Sequence, residues 1–494
     1  MMTYANDLAL GEELHDRPVL RLLQDEDIIQ IHDGGLRLLR ETGVVIRDRD
    51  VVARLSGSGA RVQIQSGAAR VTIPSDLVVQ SLTKAPSSVT LYDRLGEEAM
   101  VLGSGRFHAR SSSGATAVFD LATGEPREPT SIDAANAVRV ADLLPNVQGV
   151  STMAVQPADV PPSTVDVHTV RIALLNTLKP LGHVCLNEDL IEPVLSMVAA
   201  TVGGDAHLTA RPTLTALAES TSPLQYVSSQ MAVLRAFASR RLPLTLHAHP
   251  MAGLTAPVTL AGELVVTHAE VLALVTMAQL VHPGTPVVYG MSSSVPDMRT
   301  AANLSGAPEI GLMGSAVAQL AQHCGLPCVM SSGSDAHLPG AQSVMERLMT
   351  LLPPALAGVD LVNLSTLETK MSFSLEQLVI DDLVVSMVQR YLRGIGVGEQ
   401  TLAVDVIQQI GPGGTFVSAD HTFQHYRDEL FTSELLEHHP RAMSPAGGAQ
   451  NLVARARERV EELLERHEPP PLPPDVIKEL DAIVEEVKRR DGSA

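Results

Sequence analysis

The chain has 494 residues, of which 45% are hydrophobic and 19% charged, and its 36 Lys and Arg against 56 Asp and Glu leave a formal charge of −20. A phosphate backbone calls for a basic footprint, and no run of Lys or Arg interleaved with aromatics occurs, so the composition speaks against a nucleic-acid partner. The N-terminus is acidic and polar, no uncharged apolar stretch of about 18 residues stands out, and Cys185, Cys324 and Cys328 are too few for a disulfide framework, so the expectation is a soluble, cytoplasmic globular protein without signal peptide or membrane span.

Residues 1–106 read as an α+β cap. Ile28, Ile31, Leu36, Leu38 and Leu39 recur at helical spacing and Gly43 ends that helix; 44–46, 60–64 and 69–73 follow as short strands, and Pro74-Ser75-Asp76 starts another helix. From residue 107 to 398 apolar strands alternate with amphipathic helices, which predicts parallel βα units. Eight strands are expected, at 116–119, 149–155, 181–186, 213–217, 242–246, 286–290, 327–330 and 360–364. Eight is the number that closes a (β/α)8 TIM barrel, with an open doubly wound sheet as the alternative. Residues 399–494 form a C-terminal helical extension. Its Pro-rich stretch, 469–474, holds either an arm on a neighbour or a tail folded back on its own barrel.

Barrel sites lie at the carboxyl ends of the strands, where the expected strands are followed by Glu219 with Ser220 and Thr221, by His247 with His249, by Tyr289 with Ser292 to Ser294, by Ser331 to Asp335 with His337, and by Thr366 with Glu368. His247 and His249 alternate, so both side chains share one face of a strand; a shared metal ion is one reading, and hydrogen bonding to loops or substrate is the preferred one. Together with Asp335 they form the set a metal-dependent hydrolase would use, an outside alternative. His323, Cys324 and Cys328 have the look of a soft metal cluster, but buried structural thiols are commoner, and no metal is assigned. Walker, G-x-G-x-x-G and G-x-S-x-G motifs are missing, which removes support for phosphate cradling, dinucleotide binding and an esterase elbow. The segment Arg110-Ser-Ser-Ser-Gly, ahead of the first expected strand, is either an anion-binding loop or a plain turn.

Several segments carry a more specific signal. Ser222-Pro-Leu-Gln-Tyr226, Met251-Ala-Gly-Leu-Thr-Ala-Pro-Val-Thr-Leu-Ala-Gly262, Pro283-Gly-Thr-Pro-Val-Val-Tyr-Gly290, Gly394-Ile395, Asp405-Val-Ile-Gln-Gln-Ile-Gly-Pro-Gly-Gly414, Ala341-Gln342 and His467-Glu-Pro-Pro-Pro-Leu472 resemble the trimethylamine methyltransferase (MttB) family, in order, from about residue 30 to 487. The resemblance implies a (β/α)8 barrel that moves a methyl group from an amine to Co(I) of a corrinoid (cobalamin) carried on a separate partner protein, and it implies homo-oligomers. Family members with pyrrolysine act on trimethylamine; the corresponding region here, 331–337, holds ordinary residues, so a betaine-type quaternary amine such as glycine betaine is implied.

Ring faces hold a quaternary ammonium at about 0.5–2 kcal/mol each. Tyr289 is the first ring candidate, with Tyr226, Phe107 and Phe373 behind it; Tyr289 has barrel packing, and Tyr226 a place on the rim where the corrinoid protein docks, as the other readings. Arg110, His247, His249, His337 and Arg299 are candidate donors to a betaine carboxylate, Arg299 having a loop-fixing pair with Asp297 as its alternative. Glu219, His247 and Asp335 are the candidates for the reacting end, Glu219 either opposing the cation or tied to Arg211 or another cation. The segments 107–114 and 330–339 are Ser-rich where relatives tend to be Gly-rich. A quaternary-amine-binding member without transfer activity is the alternative from another functional class.

Overall fold

The computed structural model describes residues 18–438 and 450–492, apart from Ser66, Ala301, Ser365, Pro470 and the side chain of Asp491. The expectation of no leader rests on residues 1–17, and part of the expected C-terminal extension falls at 439–449 and 493–494; these lie outside the described residues.

Eight parallel strands form one sheet: β1 (His108–Ser111), β2 (Val150–Ser151), β3 (Leu181–His183), β4 (Leu214–Glu219), β5 (Leu244–Ala248), β6 (Val287–Met291), β7 (Cys328–Ser331) and β8 (Leu361–Leu364). β8 pairs with β1, and a parallel bridge between Arg110 and Gly149 closes the ring. Each strand leads to a helix: α1 (Ser131–Leu143), α2 (Val165–Asn176), α3 (Ile191–Val202), α4 (Ser228–Ser239), α5 (Leu260–Val281), α6 (Pro308–His323), α7 (Ala341–Ala357) and α8 (Leu375–Leu392). The (β/α)8 expectation therefore holds, with one correction. The run expected at 116–119 is Ala117–Phe119, which belongs to a separate four-stranded sheet with Pro126–Arg127, Thr366–Leu367 and Ser372–Phe373. The first barrel strand is instead His108-Ala-Arg-Ser111. It did not read as an apolar run because its inward positions carry His108 and Arg110.

The N-terminal end of the barrel is closed by apolar packing. The hairpin Val89–Tyr92/Glu98–Leu102 inserts Val89, Leu91, Met100 and Leu102 against Val288, Val329 and Leu361 from β6, β7 and β8. Burial of that apolar surface stabilises the floor, and the polar opposite end remains the place for a site.

The cap forms as expected in outline. The helix Asp25–Arg37 is followed by Gly43 at φ +71, where a Cβ would lie 2.5 Å from the Val71 carbonyl oxygen, so the turn requires glycine. Val44–Ile46 pairs with Ala68–Thr72, and on its other edge with Gln225–Tyr226, which ties Tyr226 into the cap sheet. α5 departs from expectation, being long and apolar enough by length and composition to cross a membrane. Its most apolar stretch is 83% buried inside the fold, and it encloses Glu263, His268 and Glu270. The helices Leu452–Arg466 and Pro474–Asp491 fold back on their own barrel through Arg457–Glu376 at 3.1 Å, His467–Asp142 at 3.2 Å and Arg171–Asp481 at 2.6 Å.

Candidate active site at the barrel mouth

A cavity of about 180 Å³ opens among the carboxyl ends of the strands. Its position follows from strand alternation. On β4 the inward residues are Thr215, Leu217 and Glu219; on β5 they are Thr245, His247 and, just past its end, His249.

Arg110 reaches across this space from β1. Its Nη1 donates to Thr215 Oγ1 on β4 at 2.9 Å, while Nε and Nη2 donate to Asn363 Oδ1 on β8 at 3.1 and 3.0 Å. Gly182 on β3 gives the guanidinium its room, since a Cβ there would lie 2.6 Å from Arg110 Cζ. Every acceptor it meets is neutral. Burial pulls the Arg110 pKa down to about 10, so the group is a fully enclosed cation at neutral pH.

Three imidazoles line the same cavity. His247 lies across Gly290, where a Cβ would be 2.5 Å from its Nε2; its Nδ1 is 3.3 Å from Ser292 Oγ, and its Nε2 is buried without a hydrogen-bond partner. Burial, then the nearby charges of Lys370 and Arg110, hold His247 neutral. Burial and Lys370 bring His249 down to about 3, and burial brings His183 to about 4. His183 Nδ1 is 2.9 Å from Thr152 Oγ1, and its Nε2 is 4.0 Å from Asp166.

Glu219 and Lys370 face each other across the cavity. Burial raises the Glu219 carboxyl, with Lys370 opposing the rise; burial lowers the Lys370 ammonium to about 8, with Glu219 opposing the fall. The cation opposite Glu219 is thus Lys370, while Arg211 donates to the Gly96 carbonyl instead. Lys370 ends the turn Glu368–Lys370, in which all three residues have positive φ, at +48, +55 and +74. Left-handed backbone at a non-glycine residue costs roughly 1–2 kcal/mol, so three in a row persist only because the surroundings hold them. Thr369 Oγ1 donates to the Asn303 carbonyl at 2.8 Å and to Asp335 Oδ1 at 3.0 Å; His337 Nδ1 sits 2.6 Å from Glu368 Oε1.

Four of the expected site residues, Arg110, Glu219, His247 and His249, are brought together here. Asp335 and His337 do not line the cavity; they hold the turn that delivers Lys370. Asp335 also accepts from the Ser305 and Gly306 amides at 2.7 and 2.9 Å, so the hydrolase set with His247 and His249 is not assembled. Arg299 is solvent-exposed and 3.7 Å from Asp297, the loop pair named as its alternative.

The expected ring cage is not formed. Tyr289 pairs in register with Leu246 and Cys328, one residue out of phase with His247 and Gly290, so its ring faces the helices, with its Oη 2.9 Å from His268 Nδ1. Tyr226 donates its hydroxyl to the Glu270 carbonyl at 2.8 Å under the cap. Phe107 precedes β1, at the end of the strand away from the mouth, and Phe373 lines a separate groove with Phe119. Among the described residues, no Phe or Tyr lines the cavity.

Lys370, Asn363 and His183 were missed. The signal for the inner layer was there: Gly182 and Gly290 sit inside strands, where glycine marks a close approach by another group.

A family model described as trimethylamine methyltransferase (MTTB) matches residues 5–492. Trimethylamine methyltransferase MttB of Desulfitobacterium hafniense (strain DSM 10664 / DCB-2) is 34% identical over 475 residues, covering 95% of this chain and 94% of that protein. The glycine betaine methyltransferase of Desulfitobacterium hafniense (strain Y51) is 29% identical over 472 residues, 94% of this chain and 97% of that protein. MttB of Methanosarcina barkeri is 33% identical over 478 residues, 95% and 96% respectively.

Proposed function

Because the chain belongs to the trimethylamine methyltransferase family, we propose that it is a methyltransferase taking a methyl group from a zwitterionic quaternary amine, a betaine, and passing it to Co(I) of a corrinoid carried by a separate protein. The observation that carries the betaine reading is Arg110, a cation enclosed in the barrel with no carboxylate among its partners. A buried charge is retained when something compensates it, and a substrate carboxylate is the missing counter-ion; trimethylamine has none to offer.

The geometry orders the ligand. Arg110 bonds Thr215, and Glu219 lies four residues further along the same strand toward the mouth. The carboxylate therefore goes deep and the ammonium toward the rim, where the methyl groups face outward. Glu219 supplies the negative charge beside the ammonium, and His247 and His249, held neutral, add no repulsion. Lys370, facing Glu219 near the rim, opposes the rise that burial imposes on the Glu219 carboxyl.

The acceptor corrinoid, when docked at the mouth, supplies the nucleophilic electron pair. The C–N bond would break with its pair left on nitrogen, and the product would carry a neutral tertiary amine beside its carboxylate, so no side chain has to give or take a proton. Holding the leaving nitrogen and presenting one methyl in line is the contribution asked of this chain. Glu219 attracts the substrate's ammonium and has no such hold on the product's neutral nitrogen, which favours release.

Calorimetric titration with glycine betaine, carnitine, proline betaine and trimethylamine, followed by methylation of a reduced corrinoid protein, tests this reading. A betaine is expected to bind and methylate the corrinoid, and binding is expected to vanish in Arg110→Met. Equal binding of trimethylamine, or indifference to Arg110→Met, overturns it.

A further inference from the structure

On the outer face of β6 lies a second enclosed polar group, independent of the cavity. The cap helix Asp25–Arg37 carries His32 to α5, and Gly35 allows the close approach, since a Cβ on it would lie 3.0 Å from His268 Cδ2. His32 Nδ1 is 2.8 Å from His268 Nε2. Cys324, directly after α6, completes a set whose ligand atoms all lie within 4.8 Å of one another, the one such His/Cys/Asp/Glu group among the described residues.

We propose that His32 Nδ1, His268 Nε2 and Cys324 Sγ bind one Zn²⁺ ion, which joins the cap helix to the barrel helices α5 and α6. Two imidazoles and a thiolate are a donor set that zinc takes in tetrahedral geometry. Metal-bound imidazoles hand their other N–H to an oxygen, and His268 Nδ1 already lies 2.9 Å from Tyr289 Oη. Burial holds both imidazoles in the neutral, lone-pair-bearing form. On binding, the Cys324 thiol proton leaves to solvent, and each neutral imidazole keeps its one proton on the ring nitrogen turned away from the ion, that of His268 on Nδ1 toward Tyr289 Oη. His32 and Cys324 are half-buried while His268 is enclosed, so the ion enters from the side of the exposed His323, whose ring stands 4.9 Å from His32, and water completes the coordination there.

The sequence pattern groups Cys324 with His323 and Cys328. The fold gives it different partners, one nearly three hundred residues away, which no local spacing reveals.

The test is metal content of the full-length protein, then Zn²⁺ and Co²⁺ titration of protein stripped with a chelator. One equivalent of Zn²⁺ per chain is expected, with the cobalt form showing strong visible bands of four-coordinate Co²⁺ and a thiolate-to-cobalt band in the near ultraviolet. Cys324→Ser and His32→Gln, both at half-buried positions that should fold, lose the equivalent, Cys324→Ser also loses the thiolate band, and Cys328→Ser keeps both. Thermal unfolding of the wild type rises with Zn²⁺ and falls back with chelator. No binding at equimolar Zn²⁺, or full stoichiometry in Cys324→Ser, overturns the proposal and leaves the group a hydrogen-bonded chain.

Discussion

Two arginines are enclosed in the barrel wall and meet opposite surroundings. Arg347, on α7, donates from Nε to Asp381 Oδ1 at 3.0 Å, from Nη2 to the Thr366 carbonyl at 2.9 Å, and from Nη1 to the Ser332 carbonyl. It pins the chain just beyond β7 and β8, with its counter-charge built into α8. Arg110 is also buried and donates from all three of its nitrogens, but among the described residues none of its hydrogen-bond partners is charged. A buried guanidinium with a carboxylate is a structural brace; one without is, on the function proposed above, a place for a ligand's anion, and the difference can be measured.

The largest effect is expected at the brace. Arg347→Met takes the guanidinium away from the buried Asp381 carboxylate, which keeps the Gln377 amide, and should lower unfolding free energy by about 3–5 kcal/mol in a urea titration. Arg110→Met should do the reverse of what burial alone suggests. It removes a charge that the free protein solvates poorly, so stability is expected to hold or rise, while affinity for the betaine falls by about a hundredfold or more, as loss of a charge-assisted bidentate contact implies. A parallel loss of stability and affinity in both variants would erase the distinction.

Tyr289→Phe sharpens the inside–outside contrast along β6. Removing the hydroxyl leaves His268 Nδ1 without its partner and should cost about 1–3 kcal/mol of stability, with betaine affinity unchanged because the ring faces the helices. A change in affinity would mean that the ring communicates with the cavity.

The smallest expected effect is a pH dependence. Lys370 is protonated below about 8, so the positive charge it sets beside Glu219, and hence beside the substrate ammonium, is present at neutral pH and fades as pH rises through that value. Betaine affinity should strengthen several-fold between pH 7 and pH 9, and Lys370→Met should flatten that profile while leaving the Arg110 contribution in place. His249 and His183, neutral from about 3 and 4 upward, add no step in this range.

The site was half legible. Arg110, Glu219, His247 and His249 could be named because strand ends in a barrel carry the chemistry and because charged and imidazole side chains stand out among apolar runs. The rings misled for one physical reason. Val287-Val-Tyr-Gly-Met291 reads as a continuous apolar strand, and such a strand, buried on both faces, gives no clue to its phase; a one-residue shift sends Tyr289 to the helices and Gly290 to the cavity. Lys370 was hidden differently, in a left-handed turn whose conformation is imposed by Asn303, Asp335 and His337 from other loops.

The sequence by itself determined the alternation of strands and helices, the eightfold barrel, the cap that precedes it and the family, because hydrophobic period and ordered motifs are local properties of the chain. Only the tertiary structure decided that β1 begins at His108, that the tail returns to its own barrel, and that Arg110 meets Thr215 and Asn363. It alone set His32 against His268 and Cys324. Those are contacts between residues far apart in the chain, fixed by strand register and by helices that pack closely where glycine permits, and neither is written in any single segment.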